Sequence, residues 1–301
     1  MDINNTDIEY NNMVAVCTIA TFNAIQDLKV FLFSLGLFNV EKPTVYLLCD
    51  IQTSEIVKAL YKGSITIIVG LDKYKSEQEI SRKRLTAQSG IEYKTMWEDF
   101  MMEKATIMDI ALKTEESVFF FDSDICFTGP LPPSPNAKIG VSPHMIKLID
   151  EERYGKFNAG FLWTSDKRVP TIWREASKSS RFYDQAALED VITNFKHEEI
   201  HCFPIQNNYG WWRMYQSSES SMSLQKQWSF FRNEGVTTSG IRVSGSPLLS
   251  IHTHWSEKND AVILHFNLWV IGFLSRLGKH PPAHSLYKFL TKEFPHLLSN
   301  T

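Results

Sequence analysis

Two aspartates separated by one residue follow an apolar run, Val118-Phe-Phe-Phe, and are the first residues in this chain that could do chemistry. In an extended strand alternate side chains share a face, so Asp122 and Asp124 are expected to converge where the strand leaves the core. An apolar run without polar alternation is typical of a strand buried on both faces of a mainly parallel sheet. Such sheets hold ligands outside the carboxyl ends of their strands, so the two carboxylates predict a divalent-cation site.

A histidine from a later strand would complete this site. Residues 248–255 (LLSIHTHW) form a predicted strand that carries His252 and His254 on one face. Mg²⁺ prefers oxygen ligands whereas Mn²⁺ tolerates imidazole better, so a histidine favours Mn²⁺ over Mg²⁺. Two or three protein ligands leave coordination positions open for a diphosphate, whose departure a metal assists by neutralising its charge. Taken alone, the two histidines are more often a packing pair than metal ligands.

Lys104 lies on the apolar stripe of a helix predicted over residues 93–113. One interpretation is that the side chain of Lys104 extends past neighbouring residues and places its ammonium group in solvent. The other is that the ammonium group reaches a phosphate at the carboxyl edge of the sheet and adds positive charge as phosphate leaves. The sequence leaves both open.

Strand and helix patterns alternate before this site. The order strand 13–21, helix from Asn23 as N-cap with Gly36 near its end, and strand 44–50 predicts a βαβ unit and a parallel sheet. Thr21 and Asp50 then fall at the carboxyl edge. The remaining predictions are helices over 54–61, 169–178, 181–192, 262–277 and 284–298, strands over 64–70, 139–143 and 156–164, a loop or short helix over 71–90, and a mobile loop over 216–247.

Composition bounds the class of protein. The chain has 301 residues, 43% of them hydrophobic, which is ample for a core, and no repeat or linker divides it. The formal charge of −3 gives no electrostatic footprint for nucleic acid. Four cysteines without a CxxC pair predict reduced packing residues rather than disulfides or a zinc site.

Two segments bear on location. Residues 1–12 are polar and acidic, so no signal peptide is expected from their composition. The longest apolar stretch, residues 261–274, is shorter than the roughly 20 residues that span a bilayer. These features predict a cytoplasmic protein without a transmembrane segment, with peripheral membrane contact as the minor alternative.

Four motifs carry a resemblance to a known family. FFFDSDICFTGPL, FNAGFLW, YDQAAL and SIHTHW follow one another in this order, and the resemblance covers roughly residues 13–255. Their order resembles nucleotide-diphospho-sugar glycosyltransferases of GT-A fold, and is most similar to glycogenin, the lipopolysaccharide galactosyltransferase-like enzymes and their plant-type relatives. The resemblance implies an α/β fold with a mixed, mainly parallel sheet flanked by helices. It implies a single domain over 13–301 after the polar segment 1–12, with a nucleotide-binding half (13–125) and an acceptor-side half (126–301).

The resemblance also implies roles for individual residues. Asp122, Asp124 and His252 would bind Mn²⁺ or Mg²⁺, and Ser123 would lie beside the ribose. The residues implied to bind the donor are Thr21, Asp50, Lys104, Asp122, Ser123, Asp124, Asn158 and Gly160, and those implied at the reaction centre are Asp184 and Gln185.

One motif departs from the family pattern. The family histidine commonly precedes a glycine and a Lys-Pro-Trp segment that clamps the diphosphate, whereas this chain continues His252-Thr-His-Trp-Ser-Glu-Lys258. The choice of His252 over His254, and any clamping by Lys258, therefore rest on position alone. His252 is preferred because it lies nearer the strand end in the family pattern.

The function implied is metal-dependent transfer of a hexose or pentose from a nucleoside-diphosphate-sugar donor to a hydroxyl of a glycan, glycolipid or protein-linked glycan. One alternative is a haloacid-dehalogenase-like phosphatase with Asp122 as nucleophile, although that motif normally opens its domain and continues Gly-Thr. The other is a non-catalytic nucleotide- or sugar-binding protein on the same fold. The sequence leaves the donor base, the acceptor and the oligomeric state open.

Overall fold

The computed structural model describes residues 14–75, 81–231 and 237–298 of the chain. Within these ranges the β-strands are β1 (Ala15–Ala20), β2 (Thr44–Cys49), β3 (Ile65–Val69), β4 (Val118–Phe121), β5 (Ile125–Phe127), β6 (Ile139–Pro143), β7 (Phe157–Thr164), β8 (Ile200–Cys202), β9 (Tyr209–Gly210), β10 (Trp228–Phe230), β11 (Ile241–Val243), β12 (Ser246–Pro247) and β13 (Ser250–His252). The α-helices are α1 (Ile25–Phe38), α2 (Ile51–Val57), α3 (Ser81–Thr86), α4 (Met96–Ala111), α5 (Leu148–Tyr154), α6 (Val169–Lys178), α7 (Tyr183–Ile192), α8 (Arg213–Gln216), α9 (Ser221–Lys226), α10 (Ala261–Arg276) and α11 (Pro281–Glu293).

Seven strands form the central sheet in the order β3-β2-β1-β4-β7-β6-β8. Strand β1 pairs in parallel with β2 and β4, while β7 runs antiparallel to its neighbours β4 and β6. The sheet is therefore mixed and mainly parallel. The predicted α/β class and the βαβ unit are confirmed.

Helices cover both faces of this sheet. In β4 the side chains alternate, so that Phe119 and Phe121 belong to the core that includes α1, α10 and α11. Val118 and Phe120 belong to the core that includes α4, α6 and α7. Burial on both faces explains why this strand has no polar alternation in sequence.

Two smaller sheets complete the described part of the chain. Strand β13 pairs antiparallel with β5 and parallel with β9, and β10, β11 and β12 form an antiparallel sheet. The prediction of a mobile loop over 216–247 is wrong, because this segment contains the sheet of β10, β11 and β12. Its residues Trp228, Ile241 and Val243 are buried and supply the apolar contacts that hold it. Residues 232–236 of that prediction lie outside the described residues.

The first helix also differs from its prediction. Asn23 is not an N-cap, because a 3₁₀ turn over Phe22–Ala24 precedes α1. Gly36 does not end the helix, which continues to Phe38. The buried side chains of Leu35 and Phe38 hold this last turn against the core, and packing of this kind outweighs the low helix propensity of glycine.

Other predicted bounds are close to the observed ones. The predicted helix over 54–61 is displaced towards the N-terminus, because Asp50 caps α2 through Thr53 N. The predicted loop or short helix over 71–90 contains a 3₁₀ turn, Asp72–Tyr74, and α3, while residues 76–80 lie outside the described residues, as does the polar segment 1–12.

Two further predictions are addressed by the fold. The four cysteines are free, with Cys17, Cys49 and Cys126 buried and Cys202 exposed. Across the described ranges, helices that combine the length and apolarity needed to cross a membrane are absent.

Candidate functional site

Asp122 and Asp124 are brought together by a turn rather than by an extended strand. Strand β4 ends at Phe121, and Ile125 N donates to Asp122 O at 3.1 Å to close the turn into β5. Asp122 N is in turn held by Gly160 O at 2.9 Å. The predicted convergence of the carboxylates is observed, but the predicted cause, alternation along a strand, is wrong.

His252 reaches the aspartates through the pairing of β5 with β13. His252 lies opposite Ile125 in this pair, and Thr253 N donates to Asp124 O at 3.2 Å. The Nε2 atom of His252 lies 3.0 Å from Asp124 Oδ1 and 3.9 Å from Asp122 Oδ2. One ligand atom from each of the three residues lies within 4.8 Å of the others, which is the spacing of a metal-binding cluster.

Gly160 leaves the space that these side chains occupy. A Cβ atom at this position would lie 2.3 Å from Asp122 Oδ2 and 2.5 Å from His252 Cε1, which are both too close. The glycine of FNAGFLW is therefore explained by the close approach of two side chains to the backbone of β7.

His254 lies beside the cluster but outside it. Its Nδ1 atom is 3.1 Å from Asp124 Oδ2 and 4.0 Å from Asp27 Oδ2, and half of its side chain is exposed. Asp124 thus directs one carboxylate oxygen to each histidine. The geometry groups His252 with both aspartates, in agreement with the preference drawn from sequence.

Lys104 connects the aspartates to the start of α7. Its Nζ atom lies 2.9 Å from Asp122 Oδ1 and 2.9 Å from Asp184 Oδ2, and its side chain is only 5% exposed. The interpretation in which the ammonium group reaches solvent is therefore wrong. Burial alone would lower the pKa of Lys104, but the charges of Asp122 and Asp184 outweigh it and raise the pKa above its usual range.

The other titratable groups show the same competition between burial and charge. Burial raises the pKa of Asp184, and the charge of Lys104 opposes this shift without cancelling it. For Asp124 burial also acts upwards, but the charges of His252 and His254 outweigh it and hold the pKa well below its usual range. Burial would lower the pKa of His252, but Asp124 raises it. Asp124 and His252 therefore both favour their charged forms although they are buried.

The residues present fit a divalent cation. Two carboxylates and one imidazole form an oxygen-rich donor set with one nitrogen, which suits Mn²⁺. Although His252 Nε2 is close to Asp124 Oδ1, this buried oxygen accepts no well-aligned hydrogen bond from the described residues. A buried carboxylate oxygen left in this way is available as a ligand.

Asn158 is fixed by a network that the sequence did not indicate. Its Oδ1 atom accepts hydrogen bonds from Gly160 N at 3.1 Å and from Asn208 Nδ2 at 3.0 Å. Asn208 is fully buried and also donates to Ser142 Oγ at 3.1 Å. The double asparagine in FPIQNNY was the available signal for Asn208, but sequence cannot show that it faces Asn158.

Asp184 and Gln185 point to different partners. The backbone of Tyr183 is left-handed, with φ +43°, immediately before Asp184, whose side chain meets Lys104. Gln185 Nε2 instead donates to Tyr154 O at 2.8 Å. The structure therefore joins Asp184 to the cluster and engages Gln185 with Tyr154, the last residue of α5.

Thr21 and Asp50 lie at strand ends, as predicted, and Ser123 lies in the turn after β4. Asp50 also has structural partners. Its two carboxylate oxygens accept hydrogen bonds from Phe22 N and Thr53 N, each at 2.7 Å, and its side chain is fully buried. Asp50 thus ties the end of β1 to the start of α2.

Comparison with solved structures identifies the fold. No protein-family model and no curated protein matches the sequence. The glycosyltransferase GlyE of Streptococcus pneumoniae TIGR4 matches over 96% of this chain and 63% of its own, with a TM-score of 0.51 and 15% identity. The bifunctional glycosyltransferase WbbM matches over 93% of this chain and 52% of its own, with a TM-score of 0.50 and 10% identity.

These matches define the class of fold. The chain has a GT-A-like glycosyltransferase fold, which confirms the resemblance drawn from the four motifs. It spans less than two thirds of the GlyE and WbbM chains.

Proposed function

We propose that this chain is a metal-dependent glycosyltransferase that moves a sugar from a nucleoside-diphosphate-sugar donor to a hydroxyl acceptor. The observation that carries the proposal is the cluster of Asp122, Asp124 and His252, whose ligand atoms lie within 4.8 Å of one another on a GT-A-like fold. Similarity of fold alone would not distinguish an enzyme from a binding protein, so the proposal depends on this cluster.

In this proposal Asp122, Asp124 and His252 hold Mn²⁺ or Mg²⁺. A bound cation supplies positive charge that stabilises the departing nucleoside diphosphate. The protein supplies Lys104 in addition, since its ammonium group is already held at 2.9 Å from Asp122. Lys104 therefore positions the carboxylate of Asp122 and adds charge at the donor side of the cluster.

Asp184 is proposed as the polar group beside the anomeric carbon. In the transfer, the bond from the anomeric carbon to the diphosphate breaks, a bond to the acceptor oxygen forms, and the acceptor hydroxyl loses its proton. A carboxylate can accept that proton or stabilise an oxocarbenium-like charge. Lys104 Nζ, 2.9 Å from Asp184 Oδ2, fixes this carboxylate relative to the cation site. Gln185 in the same first turn is proposed as the second residue of the reaction centre.

The remaining predicted residues are proposed on the donor side. Asn158 and Gly160 would lie beside the donor sugar, and Ser123 beside the ribose. Thr21 and Asp50 would border the nucleoside at the ends of β1 and β2. For Asp50 this role is indirect, because both carboxylate oxygens already hold backbone amides.

The two alternatives have less support. GlyE and WbbM are glycosyltransferases by their descriptions, which favours transfer over the phosphatase with a nucleophilic Asp122. A non-catalytic binding protein would use the same cleft, so only turnover distinguishes it.

Donor hydrolysis tests the proposal, because transferases often pass sugar to water when the acceptor is absent. The wild type should release nucleoside diphosphate from one nucleotide sugar in Mn²⁺ and lose this activity in a chelator. Asp122→Asn and Asp124→Asn should lower the rate by roughly 100-fold or more, because a metal supplies several kcal/mol of stabilisation. Full turnover in both variants would show that the cluster is not the cation site. Metal-dependent binding without any turnover would favour the binding protein.

A further inference from the structure

The segment Gly210-Trp211-Trp212 wraps around His252. Strand β9 pairs in parallel with β13, with Gly210 opposite His252. Trp211 N donates to His252 O at 3.1 Å. The chain then turns back and places the indole of Trp212 against the ring of His252.

Gly210 makes this turn sterically allowed. A Cβ atom on Gly210 would lie 2.2 Å from the Trp212 ring, so any side chain there would displace the indole. The sequence Gly210-Trp211-Trp212 therefore fits an arrangement in which the indole of Trp212 lies directly against Gly210.

Trp212 contacts His252 directly. Their ring centroids are 5.0 Å apart with an interplanar angle of 75°, an edge-to-face contact. The indole itself is held by a second residue, because Trp212 Nε1 donates to His144 O at 3.1 Å and its ring packs at 5.0 Å on the imidazole of His144. Trp212 is 6% exposed, so the imidazole of His252 is covered by a side chain that has little freedom of its own.

The usual second support of a ligating histidine is a hydrogen bond from its other ring nitrogen. In the part of the chain that the structure describes, the buried Nδ1 atom of His252 has no such partner. Packing is then what remains to orient the ring. The Trp212 indole acts from one direction, and the backbone at Gly160, where an added Cβ would touch His252 Cε1, acts from another.

We propose that Trp212 is a positioning residue for the cation site, holding the imidazole of His252 in the orientation that directs Nε2 towards Asp122 and Asp124. This inference rests on the proposed function, since it assigns a support to a proposed cation ligand. It concerns binding of Mn²⁺ itself, so its readout does not require turnover.

The test is Mn²⁺ affinity, measured from the free-ion signal in electron paramagnetic resonance, together with the melting temperature of the metal-free protein. Trp212→Ala should weaken Mn²⁺ binding by roughly 10-fold or more, the cost expected when a support behind a metal ligand is lost. Trp212→Phe keeps part of the ring contact and should show a smaller loss in the same direction. His252→Ala sets the limit for complete loss of the imidazole ligand.

Trp228→Ala is the matched control. Trp228 is 5% exposed and packs on Tyr209 and Phe273, so its removal should lower the melting temperature without changing Mn²⁺ affinity. Wild-type affinity in both Trp212 variants, with only a fall in melting temperature, would overturn the inference. If Trp212→Ala does not fold, Trp212→Phe decides. Absence of Mn²⁺ binding in the wild type would instead contradict the proposed function.

Discussion

At the scale of single residues, the absence of a side chain at Gly160 governs the geometry of the cluster. Gly160→Ala would place a Cβ atom 2.3 Å from Asp122 Oδ2, and either the carboxylate or β7 must move. We expect Mn²⁺ affinity to fall by roughly 10-fold or more, because displaced ligands lose coordination geometry. Calorimetric titration with MnCl₂ measures this.

Gly140→Ala provides the control for Gly160→Ala. Its added Cβ would lie 2.6 Å from the Phe203 ring, a comparable clash on the neighbouring strand β6 but against an apolar side chain. The control should lower stability and leave Mn²⁺ affinity unchanged. Equal affinity losses in both variants would show that Gly160 acts only through general strain of the sheet.

The two ion pairs of Lys104 are expected to contribute to the stability of the fold. Lys104→Met leaves Asp122 and Asp184 without their shared counter-charge, and breaking a buried ion pair in this way costs about 3–5 kcal/mol. Urea unfolding at neutral pH should show this loss in the free energy of unfolding. Adding Asp184→Asn should recover part of it, because one of the uncompensated charges is then removed. A single variant as stable as the wild type would contradict the ion-pair account.

The burial of His144 is expected to make the stability of the fold depend on pH. Burial lowers the pKa of His144 from 6.5 to about 4, so between these values the unfolded chain binds a proton that the folded chain does not. Its contribution to stability is therefore present above pH 6.5 and is lost as the pH falls towards 4. The loss is about 3 kcal/mol, at roughly 1.4 kcal/mol for each pKa unit.

The measurement is urea unfolding of the wild type and His144→Gln between pH 7.5 and 4. The glutamine variant lacks this titration, so the difference in unfolding free energy between the two proteins should move in favour of the variant as the pH falls. A difference that is constant with pH would show that His144 is not buried as a neutral group.

At the scale of elements, Asp50 joins the first strand to the second helix. Asp50→Ala removes the cap of α2 and the hydrogen bond to Phe22 N, and we expect a loss of about 2–3 kcal/mol in unfolding free energy. Asp72→Ala is the control, because Asp72 accepts a single longer hydrogen bond of 3.2 Å from Ile51 N. If Asp50→Ala weakened donor binding without loss of stability, Asp50 would contact the nucleoside directly.

The elements also show how far the sequence could predict the fold. Buried strands such as β4 were predicted because continuous apolar runs are a local signal, and the bounds of α6, Val169–Lys178, were predicted in full. The turn between β4 and β5 was not, because an aspartate pair after a strand has the same local pattern in a turn as in an extended chain. The sheet of β10, β11 and β12 was missed because serine and glycine outnumber its few buried aromatic and aliphatic residues.

The sequence predicted which residues form the site better than it predicted the contacts among them. The aspartates, His252 and Asp184 could be named from motif order, but the position of the Lys104 ammonium group depends on what faces α4 across the core. Asn208 was missed for the same reason, and so was the contact of Trp212 with His252, since the two residues of each pair are at least 40 positions apart in sequence. Local patterns carry no information about such contacts.

At the scale of the whole molecule, the cluster is where distant parts of the chain meet. The turn after β4 contributes Asp122 and Asp124, the end of β13 contributes His252, and the first turn of α7 brings Asp184 towards them through Lys104. Gly160 in the middle of β7 leaves the space for the side chains. A ligand that binds this cluster only when the protein is folded must stabilise the entire fold, by about 2.7 kcal/mol at a concentration 100 times its dissociation constant. Cation and donor binding should therefore be visible as thermal stabilisation.

The most direct measurement of the central claim is a thermal-shift comparison of nucleotide sugars with and without Mn²⁺, on the wild type and on Asp124→Asn. We predict that one donor raises the melting temperature of the wild type only when Mn²⁺ is present. The same donor should produce no Mn²⁺-dependent shift in Asp124→Asn. A shift of equal size without the metal, or an undiminished shift in the variant, would contradict the assignment of Asp122, Asp124 and His252 as the cation site for a nucleotide-sugar donor.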